Sequence, residues 1–235
     1  MTTSAGRQTQ SCATPATVVK RLLFLTGNLG KLAEAQHYFT PLGYRVEQFL
    51  LNGRPPEVFE PQADSLRVVA SAKISQARNL LAESGEEGAI FVDDSGLFID
   101  SLNGFPGVSS ASVHSQIGCL GILDLMEGRE KRGAEFRTCA ILWDGEEFIG
   151  EGICRGRIIA EERGENGFGY DPIFVPDDLG GLSSEGQFSD SGTSDSGTTD
   201  MLTSEGRTFA ELETAGKNAF SHRRKALEAV LNRLR

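Results

Sequence analysis

Apolar and polar residues alternate along the chain in short blocks that predict strands and helices in turn. Runs of β-branched, leucine and aromatic residues predict strands, whereas apolar residues three and four positions apart predict helices. The predicted strands are Leu22–Leu25, Arg45–Leu50, Ala89–Asp93, Phe98–Ser101, Ala134–Trp143, Glu147–Arg155 and Arg157–Glu161. The predicted helices are Lys31–Phe39, Ser65–Ala82, Gly121–Glu127 and Ser221–Leu234. This order of elements indicates an α/β layer structure.

The most informative segment is Ala89–Leu97, where a buried-strand pattern ends in two adjacent carboxylates, Asp93 and Asp94, and a small-residue turn. Successive side chains of a strand point to opposite faces, so at least one carboxylate leaves the sheet toward a cleft if the strand continues. A carboxylate there suits a divalent cation or an attacking water. The alternative is an acidic turn whose side chains accept hydrogen bonds from nearby backbone N–H groups.

A second candidate site follows the first predicted strand, where Thr26-Gly27-Asn28-Leu29-Gly30-Lys31 leads into a helix. A strand, a glycine turn and a helix N-terminus bring several backbone N–H groups to one point. Such a site suits a phosphate, with Lys31 as its countercharge. The segment superficially resembles a P-loop, but a P-loop needs four residues between its glycines and Ser or Thr after the lysine. Here two residues separate the glycines, and Leu32 follows the lysine.

Composition agrees with a soluble globular protein. A chain of 235 residues is long enough for one large α/β domain, and no apolar run approaches the length of a membrane span. Residues 1–17 predict a disordered tail ahead of a domain at 18–235, and the Ser/Gly/Asp-rich residues 177–207 predict a disordered inserted loop. Four scattered cysteines without a Cys-x-x-Cys pair are typical of a reducing cytoplasm.

The formal net charge of −10 restricts the class of partner. No basic stripe is visible, which argues against a nucleic-acid polymer. An anionic ligand would be repelled at long range unless a cation and local basic side chains, such as Lys31, Lys73 and Arg223, override the overall field. The acid-rich, lysine-poor composition also suggests that the organism is adapted to high salt. If folding and activity did not change in multimolar salt, that hypothesis would be rejected.

Six motifs occur in the order found in the inosine triphosphate pyrophosphatase family, the Ham1-like group, and the chain resembles that family from about Leu22 to Leu234. These are Thr26-Gly27-Asn28-x-x-Lys31, Asp93-Asp94-Ser95-Gly96-Leu97, Gly104-Phe105-Pro106-Gly107, Gly167-Phe168-Gly169-Tyr170-Asp171-Pro172, Thr208-Phe209-Ala210-Glu211 and Ser221-His222-Arg223. Each motif alone is weak, whereas six in register are specific. The resemblance implies a three-layer α/β/α fold with a mixed central sheet and two lobes flanking a long cleft.

The resemblance also implies an activity, namely hydrolysis of deaminated purine nucleoside triphosphates such as ITP, dITP and XTP to the monophosphate and pyrophosphate. It implies Mg²⁺, or Mn²⁺, as cofactor and a homodimer as the assembly. Asp94 matches the metal ligand and proposed proton acceptor, and Lys73 matches a catalytic, phosphate-binding lysine. Substrate-binding positions are matched by Thr26, Gly27, Asn28, Lys31, Ser95, Phe168, Gly169, Tyr170, Asp171, Lys217, His222 and Arg223. Asp93 supports either the metal or the structure.

The second metal ligand implied by the resemblance is a glutamate upstream of the helix that carries Lys73. Glu60 is the best match, and Glu57 is the rival. The chain departs from the family at two nearby places. Val68-Val69-Ala70 stands where many relatives have an asparagine, and Pro106-Gly107-Val108-Ser109-Ser110 lacks the usual tyrosine. Details of the cleft are therefore open, as is the choice among the three substrates.

Base recognition is expected from Phe168, which matches the aromatic residue that stacks on the purine, and from Lys217, His222 and Arg223, which match residues facing the base. Deaminated purines carry a 6-oxo acceptor where adenine has a 6-amino donor. Donors from His222 and Arg223 would therefore favour the former. A nucleotide-sensing module without catalysis remains the alternative, and release of pyrophosphate would separate the two.

Overall fold

The structure is a computed structural model that describes residues 20–177, 206–213 and 221–234. The predicted N-terminal tail, most of the inserted segment and Lys217 lie outside these residues. The strands are β1 (Lys20–Phe24), β2 (Tyr44–Gln48), β3 (Ala89–Ile99), β4 (Gly133–Trp143), β5 (Glu147–Ile158) and β6 (Phe174–Pro176). The helices are α1 (Leu29–Phe39), α2 (Leu66–Ser84), α3 (Ser110–Leu125) and α4 (His222–Leu234).

The six strands form one sheet in the order β2-β1-β3-β4-β5-β6. β1 pairs in parallel with β2 and β3, whereas β4 pairs antiparallel with β3 and β5, and β6 pairs antiparallel with β5. The β1–β3 connection contains α1, β2 and α2, as parallel pairing requires a long crossover. The predicted α/β class with a mixed sheet is confirmed.

The sheet separates two helical layers, as the alternation of side chains along β3 makes clear. Ile90 and Val92 pack with α2 in one hydrophobic cluster. Phe91 packs with α1 and α4, and Leu97, on the same face as Phe91, packs with α3. The layers are therefore α1, α3 and α4 on one face of the sheet and α2 on the other.

β3 is one strand of eleven residues, so the predicted turn after Asp94 is wrong. Its register pairs Asp94 with Cys139, Gly96 with Arg137 and Ile99 with Ala134, because β4 offers backbone partners along the whole length. The separate strand predicted at Phe98–Ser101 is therefore the last part of β3.

Two further predicted elements need correction. The helix expected at Gly121–Glu127 begins at Ser110, in a serine-rich stretch with weak apolar periodicity, and is broken by a non-helical Gly118. The strand expected at Arg157–Glu161 is not separate, because β5 runs unbroken to Ile158. The other predicted elements are present, with ends displaced by a few residues.

The edge of β3 opens where β1 ends. β1 pairs with β3 only as far as Phe91, and the last bond between the two segments runs from the Leu25 N–H to the Phe91 carbonyl. From Val92 onward β3 is paired with β4 on its other side. Asp93 and Asp94 thus lie on the part of β3 that no longer pairs with β1.

The N-terminus of α4 lies very close to the sheet because β5 carries glycine beneath it. A Cβ atom at Gly152 would collide with the carbonyl oxygen of His222, and one at Gly150 with that of Ala226. The absence of these side chains places His222 and Arg223 directly above the strands. In the described part of the chain, the helices are too short or too polar to cross a membrane.

Candidate active site

The loop from Thr26 to Asn28 leads into α1, which begins at Leu29. The Asn28 side chain caps the helix, since its Oδ1 accepts hydrogen bonds from the N–H groups of Gly30 (2.8 Å) and Lys31 (3.2 Å). The Asn28 N–H in turn donates to Thr26 Oγ1 at 3.1 Å. A phosphate at this helix terminus would therefore share these donors with Asn28 or displace its side chain.

Asp93 is the centre of a buried ion network on the α1 and α4 side of the sheet. Lys31 Nζ lies 2.8 Å from Asp93 Oδ1, and Arg223 Nε lies 3.0 Å from Asp93 Oδ2. Arg223 Nη1 also donates to Glu34 Oε2 at 2.6 Å. Burial opposes the charged form of Asp93, but Lys31 and Arg223 outweigh it and hold the Asp93 pKa below its ordinary value. The network balances two acids with two bases.

Asp94 faces the α2 side and has different surroundings. Lys73 Nζ lies 2.8 Å from Asp94 Oδ1 and 2.7 Å from Glu60 Oε1, so one lysine bridges two carboxylates. The Asp94 Oδ2 atom is buried and has no hydrogen-bond partner. Burial raises the pKa of Asp94 above its ordinary value, even though Lys73 opposes that shift. This site has two acids for one base.

These surroundings fit a divalent cation. A buried carboxylate oxygen without a donor is costly unless something positive approaches it, and the local charge is negative. Among the described residues no group of three or more His, Cys, Asp or Glu side chains could hold a metal. The described residues would thus supply two carboxylates, those of Asp94 and Glu60. Mg²⁺ commonly completes its shell with water and substrate phosphates. Of the two candidate glutamates, Glu60 is the one that forms an ion pair with Lys73, which is also bonded to Asp94.

A cavity of about 270 Å³ lies on the Asp93 side, beside the open edge of β3. Its walls come from the N-termini of α1, α3 and α4, from β3 and β4, and from the turn at Phe168. The lining residues are Asn28, Lys31, Ser95, Gly96, Ser110, Ala111, His114, Phe136, Phe168, Gly169, Tyr170, Asp171, His222 and Arg223. Many of the predicted substrate-binding residues thus line one cavity.

Phe168 is presented to this cavity by a tightly held turn. Gly167 and Gly169 have positive φ angles of 81° and 64°, a conformation that favours glycine. Asp171 Oδ2 accepts a hydrogen bond of 2.7 Å from the Phe168 N–H, and the Tyr170 hydroxyl donates to the Ser110 carbonyl at 3.2 Å. Tyr170 and Asp171 are buried, whereas 40 % of Phe168 is exposed. The buried pair therefore holds the turn that presents the partly exposed Phe168 ring to the cavity.

Arg223 and His222 form the α4 wall of the cavity. The Arg223 guanidinium carbon lies 5.5 Å from the centroid of the Phe168 ring. Nε and Nη1 of Arg223 bind Asp93 and Glu34, and Nη2 makes no hydrogen bond with the described residues. The His222 ring stacks on Phe136 with centroids 4.8 Å apart and planes 12° apart. One donor of Arg223 is thus oriented by the network and left for a ligand.

The structure brings the two predicted lysines to the two aspartates, Lys31 to Asp93 and Lys73 to Asp94. Arg223, expected to face the base and to offset the acidic field, is also bonded to Asp93. Glu34 was missed, although it lies three positions after Lys31 on the same helix, a spacing that could have indicated it. His114 was missed because its segment showed no clear helical pattern. Thr138 was also missed; its hydroxyl lies 2.8 Å from that of Ser95, across the β3–β4 pair.

A wider groove of about 1090 Å³ borders the cavity on the side of Glu60. It runs between the segment 60–64 and the segment 103–109, and Ala111 lines both spaces. Glu60 therefore lines a groove that shares Ala111 with the cavity next to Asp93.

Comparison with known proteins gives a consistent result. The model of the Ham1 family matches residues 22–233. A Thermococcus kodakarensis protein named dITP/XTP pyrophosphatase is 41% identical over 215 residues, which cover 92% of this chain and 97% of that protein. A Pyrococcus horikoshii protein of the same name is 38% identical, with 92% and 97% covered.

Solved structures agree with the sequence comparison. The Ham1 protein of Staphylococcus aureus superposes with a TM-score of 0.69 at 25% identity, covering 92% of this chain and 98% of that one. A Mycobacterium abscessus structure titled nucleoside-triphosphatase / dITP/XTP pyrophosphatase gives a TM-score of 0.60 at 31% identity, with 92% and 100% covered. From the matched residues, the relatives and the shared fold, this chain belongs to the Ham1 family.

Proposed function

We propose that this protein hydrolyses deaminated purine nucleoside triphosphates, such as ITP, dITP and XTP, to the monophosphate and pyrophosphate, and so removes them from the nucleotide pool. The relatives named dITP/XTP pyrophosphatase support the substrate class. The observation that carries the proposal is the position of the Asp94–Lys73–Glu60 cluster and the Phe168–Arg223 cavity at the same open edge of β3.

Base selection would depend on the α4 wall. Phe168 stacks on the purine, and the free Nη2 of Arg223 donates to the 6-oxo group. Adenine would place its 6-amino group against Arg223 Nη2. Both groups are hydrogen-bond donors, so both would lack an acceptor. Discrimination built on such a mismatch can reach about ten-thousand-fold. The Asp93–Glu34 network keeps Arg223 in place, since both of its other nitrogens are bonded.

The phosphate chain would pass from the cavity around the β3 edge toward Asp94. Lys31 lines the cavity and Lys73 lies on the Asp94 face, so one lysine is available on each side. Both already neutralise carboxylates, and the combined cluster keeps a negative charge. Binding of an anionic triphosphate therefore calls for an added cation.

Mg²⁺, or Mn²⁺ in its place, would be held by Asp94 and Glu60, with Asp94 Oδ2 as the oxygen that has no other partner. The cation supplies charge neutralisation at the phosphates and favours the departure of pyrophosphate. Asp94 also holds the attacking water and accepts its proton as the oxygen adds to the α-phosphorus. The bond from the α-phosphorus to the bridging oxygen then breaks, and Lys73 stays beside Asp94 as countercharge.

A pyrophosphate-release assay tests this function. Full-length protein with Mg²⁺ is expected to convert ITP, dITP and XTP to monophosphate and pyrophosphate far faster than ATP. Release of orthophosphate would contradict cleavage between the α- and β-phosphates. Tight nucleotide binding without turnover would favour the nucleotide-sensing alternative.

We further propose a cytoplasmic homodimer. Light scattering coupled to size-exclusion chromatography tests the assembly. A mass twice that of the 25.3 kDa chain is expected, and a monomer at working concentration would contradict the proposal.

A further inference from the structure

His114 lines the cavity that also contains Phe168 and Arg223, but the function proposed above does not use it. It lies on α3. The chain has three histidines, and two of them, His114 and His222, line this cavity. None of the sequence motifs includes it. Its wall, formed by the N-terminal part of α3, is different from the α4 wall that carries Arg223.

The His114 ring is fixed by packing. It meets the Tyr170 ring edge to face, with centroids 4.9 Å apart and planes 85° apart. Tyr170 is itself buried, and its hydroxyl is bonded to the Ser110 carbonyl one helical turn before His114. An aromatic contact of this kind restricts the orientation of the imidazole ring.

The imidazole of His114 lines the cavity with its hydrogen-bonding capacity unused by the described residues. Neither makes a hydrogen bond to any residue that the structure describes, and the ring is only partly buried. A neutral imidazole offers one donor and one acceptor, and a protonated one offers two donors. A precisely placed polar group in a ligand cavity can distinguish ligands that differ by one polar group.

Deaminated purines differ from one another at the 2-position. Hypoxanthine carries only hydrogen there, whereas xanthine carries a second oxo group and is the more acidic base. The 6-oxo group is assigned to Arg223 on the α4 wall, so a group on the α3 wall meets another edge of the base. We infer that His114 is a specificity-determining residue that donates a hydrogen bond to the 2-oxo group and so favours xanthosine over inosine triphosphate.

This inference rests on the proposed function, and the test separates the two. The measured quantity is the ratio of kcat/KM for XTP to that for ITP, from pyrophosphate release. His114→Phe keeps an aromatic ring against Tyr170 and removes both nitrogens. The ratio is expected to fall about tenfold, the effect of one hydrogen bond to a ligand, while kcat/KM for ITP stays near the wild-type value.

His37→Phe is the matched control, because His37 is an exposed histidine on α1 outside the cavity. It is expected to leave the ratio unchanged. His114→Gln, which restores a donor on a shorter polar side chain, should recover part of the preference and also serves if the Phe variant folds poorly. A wild-type ratio in folded His114→Phe or an equal loss on both substrates would overturn the inference. Absence of turnover of every triphosphate by the wild-type protein would instead overturn the proposed function.

Discussion

Asp93 and Asp94 are adjacent in the chain, yet they belong to two electrostatically different regions on opposite faces of β3. Asp93 is bonded through both oxygens to Lys31 and Arg223, and its network is balanced in charge. Asp94 shares Lys73 with Glu60 and retains a buried oxygen without a hydrogen-bond partner. A balanced network fixes the positions of its members, whereas an unbalanced one retains the capacity to bind a cation or water. Substitution of Asp94 is therefore expected to lower the catalytic rate, whereas substitution of Asp93 is expected to lower stability.

The largest effect is expected from Asp94→Asn. The amide keeps the volume and removes the negative oxygen that would hold the cation and the water, so kcat should fall about a hundred- to ten-thousand-fold. Steady-state pyrophosphate release measures this, and the unfolding transition should stay close to that of the wild type. A variant that retains most of its rate would remove Asp94 from the mechanism.

Asp93→Asn is the matched counterpart and should act mainly on stability. It leaves the buried Arg223 with Glu34 as its remaining acid partner and removes the carboxylate that pairs with Lys31. Breaking one member of a buried ion network costs about 3–5 kcal/mol. Chemical denaturation measures the free energy of unfolding. If Asp93→Asn were inactive but as stable as the wild type, the two carboxylates would be functionally equivalent. That result would contradict a structural role for Asp93.

Phe168→Ala should affect binding of the base more than the fold, since the ring is 40 % exposed. Loss of stacking on one base is worth about 1–3 kcal/mol, which would appear chiefly as a higher KM for ITP. Phe59→Ala is the control, because Phe59 is 73 % exposed and does not line the cavity. Equal KM values for the two variants would argue against a stacking role for Phe168.

The smallest effect is expected from replacing residues 178–205 by a short turn. These residues are rich in Ser, Gly and Asp, and none of them belongs to the motifs of the family. The cost of closing a loop rises slowly with its length, so the change should leave kcat near the wild-type value. A collapse of activity in a folded variant would assign a function to the segment.

Sequence predicted much of this picture because several of its signals are local. The α/β order, the acid pair and the glycine-flanked Phe168 turn each follow from residues close together in the chain. The strand break after Asp94 was predicted wrongly, since Ser95 and Gly96 form a turn in isolation but pair here with β4. Tertiary pairing thus overrode a local preference.

Strand alternation and the family resemblance distinguish Asp94 from Asp93, but the partners that hold Asp93 in a balanced network were beyond the reach of sequence. Arg223 lies 130 positions from Asp93, and only the close approach of α4 to the glycines of β5 brings the two together. Likewise, nothing in the segment around His114 indicates that α3 delivers it to the cavity of Phe168. Such contacts depend on the packing of distant elements, for which a single sequence carries no local signal.

The most direct test of this division is Mn²⁺ binding, measured by electron paramagnetic resonance on folded wild-type protein, Asp94→Asn and Asp93→Asn. The account predicts that Asp94→Asn weakens binding at least about tenfold, because a hard divalent cation needs carboxylate oxygens, whereas Asp93→Asn leaves it close to wild type. Unchanged binding in Asp94→Asn, or its loss in folded Asp93→Asn, would contradict the assignment of the cation to the Asp94 face of β3.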